Sequence, residues 1–459
     1  MSSHGRAAGS GEYDVVVVGG GSAGLAAVQT AARARARVLL VAEGDIGGDC
    51  TFTGCVPSKT LLEAAARGVL FEEAMAAVRA NVARIAATED ASVLRSHGIE
   101  VLRGRARLAG GGVVEVDGTH VVARRIVLAT GSAPVLPLVV GLTELPADRP
   151  ALTTDTIFDL AEAPSSLAVL GGGPTGCELA QAFARLGVRV TLVEAAGRLL
   201  PDAEPEVSAV IRDALAADGV EIRAGSPVEN VADLDVERVL VTTGRRPATA
   251  NLGLEAAGVR TDERGYLVVD AHLATTAEGV YAAGDVTGLS GHTHDAYAMG
   301  RVAVQVALTG PRRRRPTYDP AGSPQVVFTD PEVATVGITE REAGPRARVA
   351  HLPMAEVDRA VTAGATAGFV TLVAGPRPVV GNLGGGRLLG ATIVARRAGE
   401  LIHEPALALR TGMFTGRLAQ TVHAYPTWSV AVQQAAAQFF GGYGGRTARP
   451  PRRGARPGE

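Results

Sequence analysis

Residues 13–24, YDVVVVGGGSAG, decide the fold. Four consecutive valines, Val15–Val18, read as a strand buried on both faces. Glycines follow at positions 19, 21 and 24, the GxGxxG spacing, with Ser22 and Ala23 between them. An Ala-rich helix over 25–34 comes next, then a second apolar strand, 38–42, closed by Glu43. Each part has a physical task. The glycines let the backbone approach a pyrophosphate, the helix N-terminus faces its charge, and the acid accepts hydrogen bonds from a ribose diol.

One such motif in a chain with 58 glycines would mean little. The whole pattern returns. Leu167–Leu170 reads as a strand, Gly171, Gly173 and Gly176 repeat the spacing, a helix over 177–186 follows, and strand 188–193 ends at Glu194. Two complete copies predict two dinucleotide sites in an α/β chain.

The composition bounds the rest. A length of 459 residues suits about three domains, and 46% hydrophobic residues supply their cores. A net charge of −2 gives no reason to expect nucleic acid or an anionic membrane as partner. Three cysteines make no disulfide framework, and neither a leader segment nor a spanning run is evident, so a cytoplasmic protein is expected. Residues 1–11 and the Gly/Pro/Arg-rich 444–459 read as disordered.

The segment GGDCTFTGCVPSKT, 47–60, concentrates the chemistry. It holds Cys50 and Cys55 and the one lysine, Lys59, among 45 basic residues. Pro57 suits the first turn of a helix through 61–66, which puts Cys55 at the positive end, where a thiol loses its proton more readily. Lys59 follows Cys55 by four, on the same helical face. Two packed cysteines are the plain alternative, but a chain that uses arginine for every other cation has kept a compact ammonium here. The first dinucleotide unit runs directly into this segment. A flavin is the cofactor that passes electrons between a hydride donor and a thiol pair, so FAD belongs to the first unit and a nicotinamide donor to the second. Glu194 favours a free 2′-hydroxyl and hence NADH, whereas Arg198 would admit NADPH.

These residues resemble the pyridine nucleotide–disulfide oxidoreductases: dihydrolipoamide dehydrogenase, glutathione reductase and mercuric reductase. The resemblance runs over roughly 12–440. GGDCTFTGCVPSK is similar to the redox-disulfide signature. Val127–Gly131 and Val241–Pro247 resemble the two crossovers between flavin and nicotinamide domains, Tyr281–Val286 the second flavin motif, and Phe328–Ala334 the start of a dimerisation domain. The resemblance implies two Rossmann-like domains and a C-terminal α+β interface domain. FAD would occupy 12–148 and 266–318, the nicotinamide cofactor 149–265, and 319–443 would build a homodimer. The nicotinamide insert reads as abridged, since 227–237 leads straight to Val239 where relatives carry extra strands.

The resemblance also implies roles. Cys55 would be the thiolate beside the flavin, Cys50 the interchange thiol, and Lys59 would pair with Glu178 beneath the flavin N5 region. Gly19, Gly21, Ser22, Ala23, Gly24, Glu43, Gly48, Ala106, Thr130, Gly131, Gly284, Asp285 and Thr293 would hold FAD. Gly171, Gly173, Gly176, Glu178, Glu194 and Gly244 would hold the nicotinamide dinucleotide. Cys177 reads as a packed thiol, the Arg312–Arg315 cluster as a solvated linker, and no histidine has metal-ligand spacing.

The chain departs from the family at His423-Ala424-Tyr425-Pro426-Thr427-Trp428-Ser429-Val430. Disulfide-reducing members carry a His directly before Pro-Thr and a Glu five positions after it, supplied across the dimer as proton carrier. Here those positions hold Tyr425 and Val430, and His423 lies two residues early. A Tyr at this place is similar to mercuric reductase, whose C-terminal cysteine pair has no counterpart in this tail. The expected enzyme therefore passes hydride from NAD(P)H through FAD and Cys50–Cys55 to an acceptor such as Hg(II) or a quinone. The alternative is a dihydrolipoamide dehydrogenase or small-disulfide reductase with His423 as base.

Overall fold

The computed structural model describes residues 12–309 and 314–452. The disorder expected of 1–11 and 453–459, and Arg312–Arg313 of the arginine cluster, lie outside the described residues.

Strands Val280–Ala282, Ile126–Leu128, Val15–Val18, Val38–Ala42 and Glu100–Arg103 form, in that order, a parallel sheet. Alternate valines of Val15–Val18 point to opposite faces. Val15 and Val17 join a core with helices Ser22–Arg33 and Thr293–Leu308. Val16 and Val18 pack under a meander of Ala106–Gly110, Val113–Val116 and Thr119–Val122. That double burial is why the strand is uniformly apolar. Val280–Ala282 returns to this sheet after a second sheet has been built, so the first unit is split around the second.

The second sheet, also parallel, runs Glu221–Ala224, Arg189–Glu194, Ser166–Leu170, Arg238–Val241. Its glycine turn opens helix Pro174–Arg185. Where the first unit inserts its meander, the second has only 225–237, with one short 3-10 turn at Val231–Asp233. Leu234 and Leu142 cover the face that the meander covers in the first unit. The units are joined by an antiparallel pair, Ser132–Pro134 against Arg245–Pro247.

The third unit is an antiparallel sheet in the order Gln325–Val327, Glu332–Gly337, Arg387–Ala395, Phe369–Gly375, Arg348–Pro353. Helix Val430–Ala437 packs on it through Ala431, Val432 and Ala435. The tail corrects an expectation. From 444 to 452 the chain is held against this sheet: Val349 and Arg449 exchange backbone hydrogen bonds at 2.7 and 2.9 Å. The Arg449 guanidinium pairs with Glu340, and that of Arg446 with Glu356. Composition suggested disorder because the acids that anchor these arginines lie 90 and 109 positions upstream.

Candidate active site

The redox segment lies on the first glycine turn. Gly48 has φ +63°, and a Cβ there would come within 2.7 Å of Gly21 Cα, so only glycine allows this approach. Helix Cys55–Ala66 begins at Cys55 itself, two residues earlier than Pro57 suggested. Cys50 and Cys55 are both half-buried thiols. The Cys50 thiol donates to Cys55, and with the Thr293 hydroxyl at 3.2 Å and the charge of Lys59 it lowers Cys55 to about 6 against the cost of burial. Cys50 is pushed well above the ordinary thiol range by that same hydrogen bond and by burial. These surroundings favour the thiolate at Cys55 and the protonated thiol at Cys50.

Lys59 Nζ donates to Glu178 Oε2 at 2.7 Å. The Glu178 side chain is 5% exposed, and its other oxygen accepts from the Phe328 backbone N–H at 2.8 Å. The ammonium also stands 4.6 Å from the Phe328 ring centroid. One turn on, Gln181 bonds both the N–H and the carbonyl of Asp330, and Arg185 pairs with its carboxylate. Helix Pro174–Arg185 thus ties all three units together at Lys59. Sequence reasoning missed Phe328, Gln181 and Arg185 in this role.

Both glycine turns are shaped to bring backbone against backbone. A Cβ on Gly24 would meet the Gly19 carbonyl at 1.8 Å, and one on Gly176 the Gly171 carbonyl at 1.8 Å. At Gly173 a Cβ would find nothing within 4 Å, which leaves the approach to the second helix open. Around the first turn, Ser22 Oγ donates to the Thr293 carbonyl, and the buried Thr130 hydroxyl has no protein partner among the described residues. Gly131 and Gly284 both have positive φ, Ala106 is buried at the start of the meander, and Asp285 Oδ2 accepts from Ser132 at 2.7 Å. Glu43 accepts Arg105 through Oε1 alone, leaving Oε2 for a ribose diol. These features fit FAD. In the second unit Glu194 accepts from the N–H groups of Gly172 and Ala196, at 2.6 and 2.7 Å, fixing its carboxylate beside the turn. Arg198 is turned away, its guanidinium donating to the Pro201 and Ala203 carbonyls at 2.6 and 3.0 Å. Gly244, at φ +155°, leads into Arg245. These features fit a nicotinamide dinucleotide.

Arg245 is a further residue the sequence did not single out. It pairs with Asp49, the neighbour of Cys50, and donates through Nε to Ser132 Oγ at 2.7 Å, which in turn donates to Asp285. Burial raises the Asp49 carboxyl while Arg245 opposes that rise. Cys177 is wholly buried, its thiol donating to the Gly172 carbonyl and pushed up by desolvation, a packed group.

The C-terminal segment is arranged differently from a proton carrier. Tyr425 is 72% exposed and donates to Asp358 at 2.7 Å, an interaction that raises its phenol above the ordinary value. Val430 opens a helix. His423 Nδ1 lies 2.9 Å from the Thr421 carbonyl and Nε2 3.1 Å from Glu404. Both ring nitrogens lie within hydrogen-bond distance of protein oxygens, so His423 is engaged within its own unit. Within one chain none of the three hydrogen-bonds the Cys50–Cys55 segment.

Next to the sulfurs, His292 caps helix Thr293–Leu308 and His294 follows Thr293. Burial, with His294 beside it, holds His292 below the ordinary imidazole value. Asp295 opposes its own burial with hydrogen bonds from Ser290 and Ser323, which keep its carboxyl low.

Residues 13–300 match the family described as pyridine nucleotide-disulphide oxidoreductase, and 323–436 match its dimerisation domain. Mercuric reductase from Bacillus cereus is 31% identical, with 93% of this chain and 72% of that protein covered. Dihydrolipoyl dehydrogenase from Thermus scotoductus is 34% identical, covering 92% and 96%. Among solved structures, the HOCl-induced flavoprotein disulfide reductase RclA from Escherichia coli superposes with TM-score 0.84 at 30% identity, over 93% and 99% of the two chains. The same protein is also known as a Cu(II) complex.

Proposed function

The chain belongs to the pyridine nucleotide-disulfide oxidoreductases, and on that premise we propose that it is an NADH-dependent flavoenzyme whose dithiol reduces a metal ion or quinone. Such a family implies FAD and NAD(P)H, and the dimerisation domain supports a homodimer. Bound FAD supplies the relay between nicotinamide and sulfur. This chain's residues do the rest: Lys59 and Glu178 set the charge beside it, Thr293 steadies the Cys55 thiolate, and Cys50 keeps a proton until it meets the acceptor. Oxidation of the Cys50 thiol and Cys55 thiolate to a disulfide releases two electrons and one proton, enough for one Hg(II) to Hg(0) or two Cu(II) to Cu(I).

One observation carries the choice of acceptor: no base is presented where the family supplies one. Tyr425 replaces the histidine, Val430 the glutamate, and His423 has both nitrogens turned to oxygens. Thiol–disulfide interchange with lipoamide would forgo general acid–base help worth typically ~10²–10⁴ in rate. A metal ion takes electrons without a proton, and a quinone takes one proton from the dithiol and the second from solvent. NADH is the favoured donor in this reading because Glu194, held beside the second glycine turn, would meet the ribose and Arg198 is committed to backbone carbonyls. Among the described residues no helix is long and apolar enough to cross a membrane. Three free thiols suit a reducing, cytoplasmic setting.

Steady-state NADH oxidation with Hg(II), Cu(II), a quinone, lipoamide and glutathione disulfide tests the reading. Turnover with a metal ion or quinone well above that with either disulfide is expected. Lipoamide as the best acceptor would overturn it.

A further inference from the structure

His292 and His294 flank Thr293, whose hydroxyl lies 3.2 Å from Cys55 Sγ. Their ring centroids are 5.4 Å apart, and the rings are tilted by 31°. The hydrogen bonds around them fix both tautomers. The buried Asp295 carboxylate only accepts, so the 2.6 Å contact from Ser290 Oγ uses the serine hydrogen. Ser290 Oγ, 3.1 Å from His292 Nδ1, must then accept there. His292 therefore carries its proton on Nδ1, and Nε2 keeps a lone pair that bonds no described residue. The other Asp295 oxygen is taken by Ser323. His294 Nε2 lies 2.8 Å from the Pro324 carbonyl, which also can only accept. Its proton sits on Nε2, and Nδ1 keeps the lone pair.

Two neighbouring imidazoles thus each have one nitrogen anchored on a protein oxygen and the other without a hydrogen-bond partner among the described residues. That is how proteins prepare histidine to ligate a metal, because the anchored N–H fixes the tautomer and ring orientation. The side chains are 35% and 49% exposed, so solvent reaches them. His423 and His351 differ: both have each ring nitrogen against a protein oxygen. The charges that face His292 are Asp295 on the helix it caps and Lys59 and Asp285 from neighbouring elements. Among the described residues no group of three or more His, Cys, Asp or Glu could hold an ion, so a resident metal is not in question. Two ligands leave open positions for an incoming sulfur, as a passing substrate requires.

We propose that His292 and His294 form a two-imidazole docking site that delivers a borderline or soft divalent ion, of the Cu(II) and Hg(II) class, to Cys50 and Cys55. The inference rests on the metal-acceptor reading above and adds where the ion first lands.

Electron paramagnetic resonance of Cu(II) added to the FAD-containing protein, with Cys50–Cys55 oxidised so that the thiols cannot compete, tests it directly. The expected spectrum shows hyperfine coupling from imidazole nitrogens. H292A and H294A each weaken Cu(II) binding at least about tenfold, and S290A, which removes the Nδ1 anchor together with the bond to Asp295 but leaves both imidazoles in place, lowers affinity on the order of 10-fold. H120A, far from the site on the meander, should match the wild type. In NADH oxidation the KM for Cu(II) should rise in the two histidine variants. A double variant H292A/H294A with wild-type affinity and spectrum overturns the docking site. Wild-type protein that binds Cu(II) through these histidines without reducing it supports the site and overturns the acceptor reading. Reduction with unchanged KM in the double variant overturns the site and leaves the acceptor reading standing.

Discussion

Cys50 and Cys55 have the same side chain and are shifted in opposite directions, and the difference comes from who donates to whom. Cys55 receives hydrogen bonds and the Lys59 charge at a helix start, so its thiolate is favoured above about pH 6. Two-electron reduction should therefore give a long-wavelength band from Cys55 thiolate to flavin. Because the Cys55 value is lowered, the band should hold at pH 7 and fade only as pH falls through about 6. Cys55→Ser should lack it, and Cys50→Ser should show it without reduction; a wild type with no band would refute the sulfur assignment. Lys59 can be tested beside it. Lys59→Met strips the partner from a buried carboxylate, and since Lys59 is part-exposed the loss should be below the roughly 3–5 kcal/mol of a fully buried pair. Lys59→Arg should keep most of the melting temperature yet slow flavin reduction by NADH, because the guanidinium fork does not fit the ammonium's place. Unchanged kinetics in that variant would reduce Lys59 to an ordinary ion pair.

At the scale of elements, what was legible was local. Each glycine turn, its flanking strand and its acid lie within about thirty residues, so their spacing alone predicts the cradle. Gly24→Ala would drive a Cβ to 1.8 Å from the Gly19 carbonyl, and the purified variant should lose most of its FAD by absorbance. The abridged second unit was legible too, because 225–237 is too short for a meander. Other contacts were not. Glu178 meets Phe328 across 150 positions, and Arg245 meets Asp49 across 196. The His294 ring is set by the Pro324 carbonyl, thirty positions away. No periodicity records such pairings. Glu194 sits between these cases: its place was readable, but Arg198's commitment to Pro201 and Ala203 was not. Glu194→Ala should narrow the preference for NADH over NADPH in kcat/KM, and a wild type that prefers NADPH would overturn the assignment. The tail belongs here as well. Arg449→Ala unpairs the largely buried Glu340, and a lower melting temperature with unchanged FAD content is the expected result.

The whole molecule is built to be completed by a second copy. Val422 and Leu407 are 92% and 58% exposed on the same unit as Tyr425, and the dimerisation domain spans them. Light scattering at micromolar concentration should give a homodimer. A monomer would leave the redox pair without the partner segment on which the acceptor argument depends. That argument is the centre of the account: the glycine turns and the cysteine pair fit the proposed relay, and Tyr425 and Val430 stand where that relay would need a base. Tyr425→His should restore only part of lipoamide reduction, because Val430 leaves the imidazole unsupported. The most direct test is lipoamide turnover of Tyr425→His/Val430→Glu against the wild type, in the same assay with His423→Ala. The account predicts weak wild-type turnover, indifferent to His423→Ala, and a gain approaching ~10² or more in the double variant. Robust wild-type turnover that collapses in His423→Ala would contradict it.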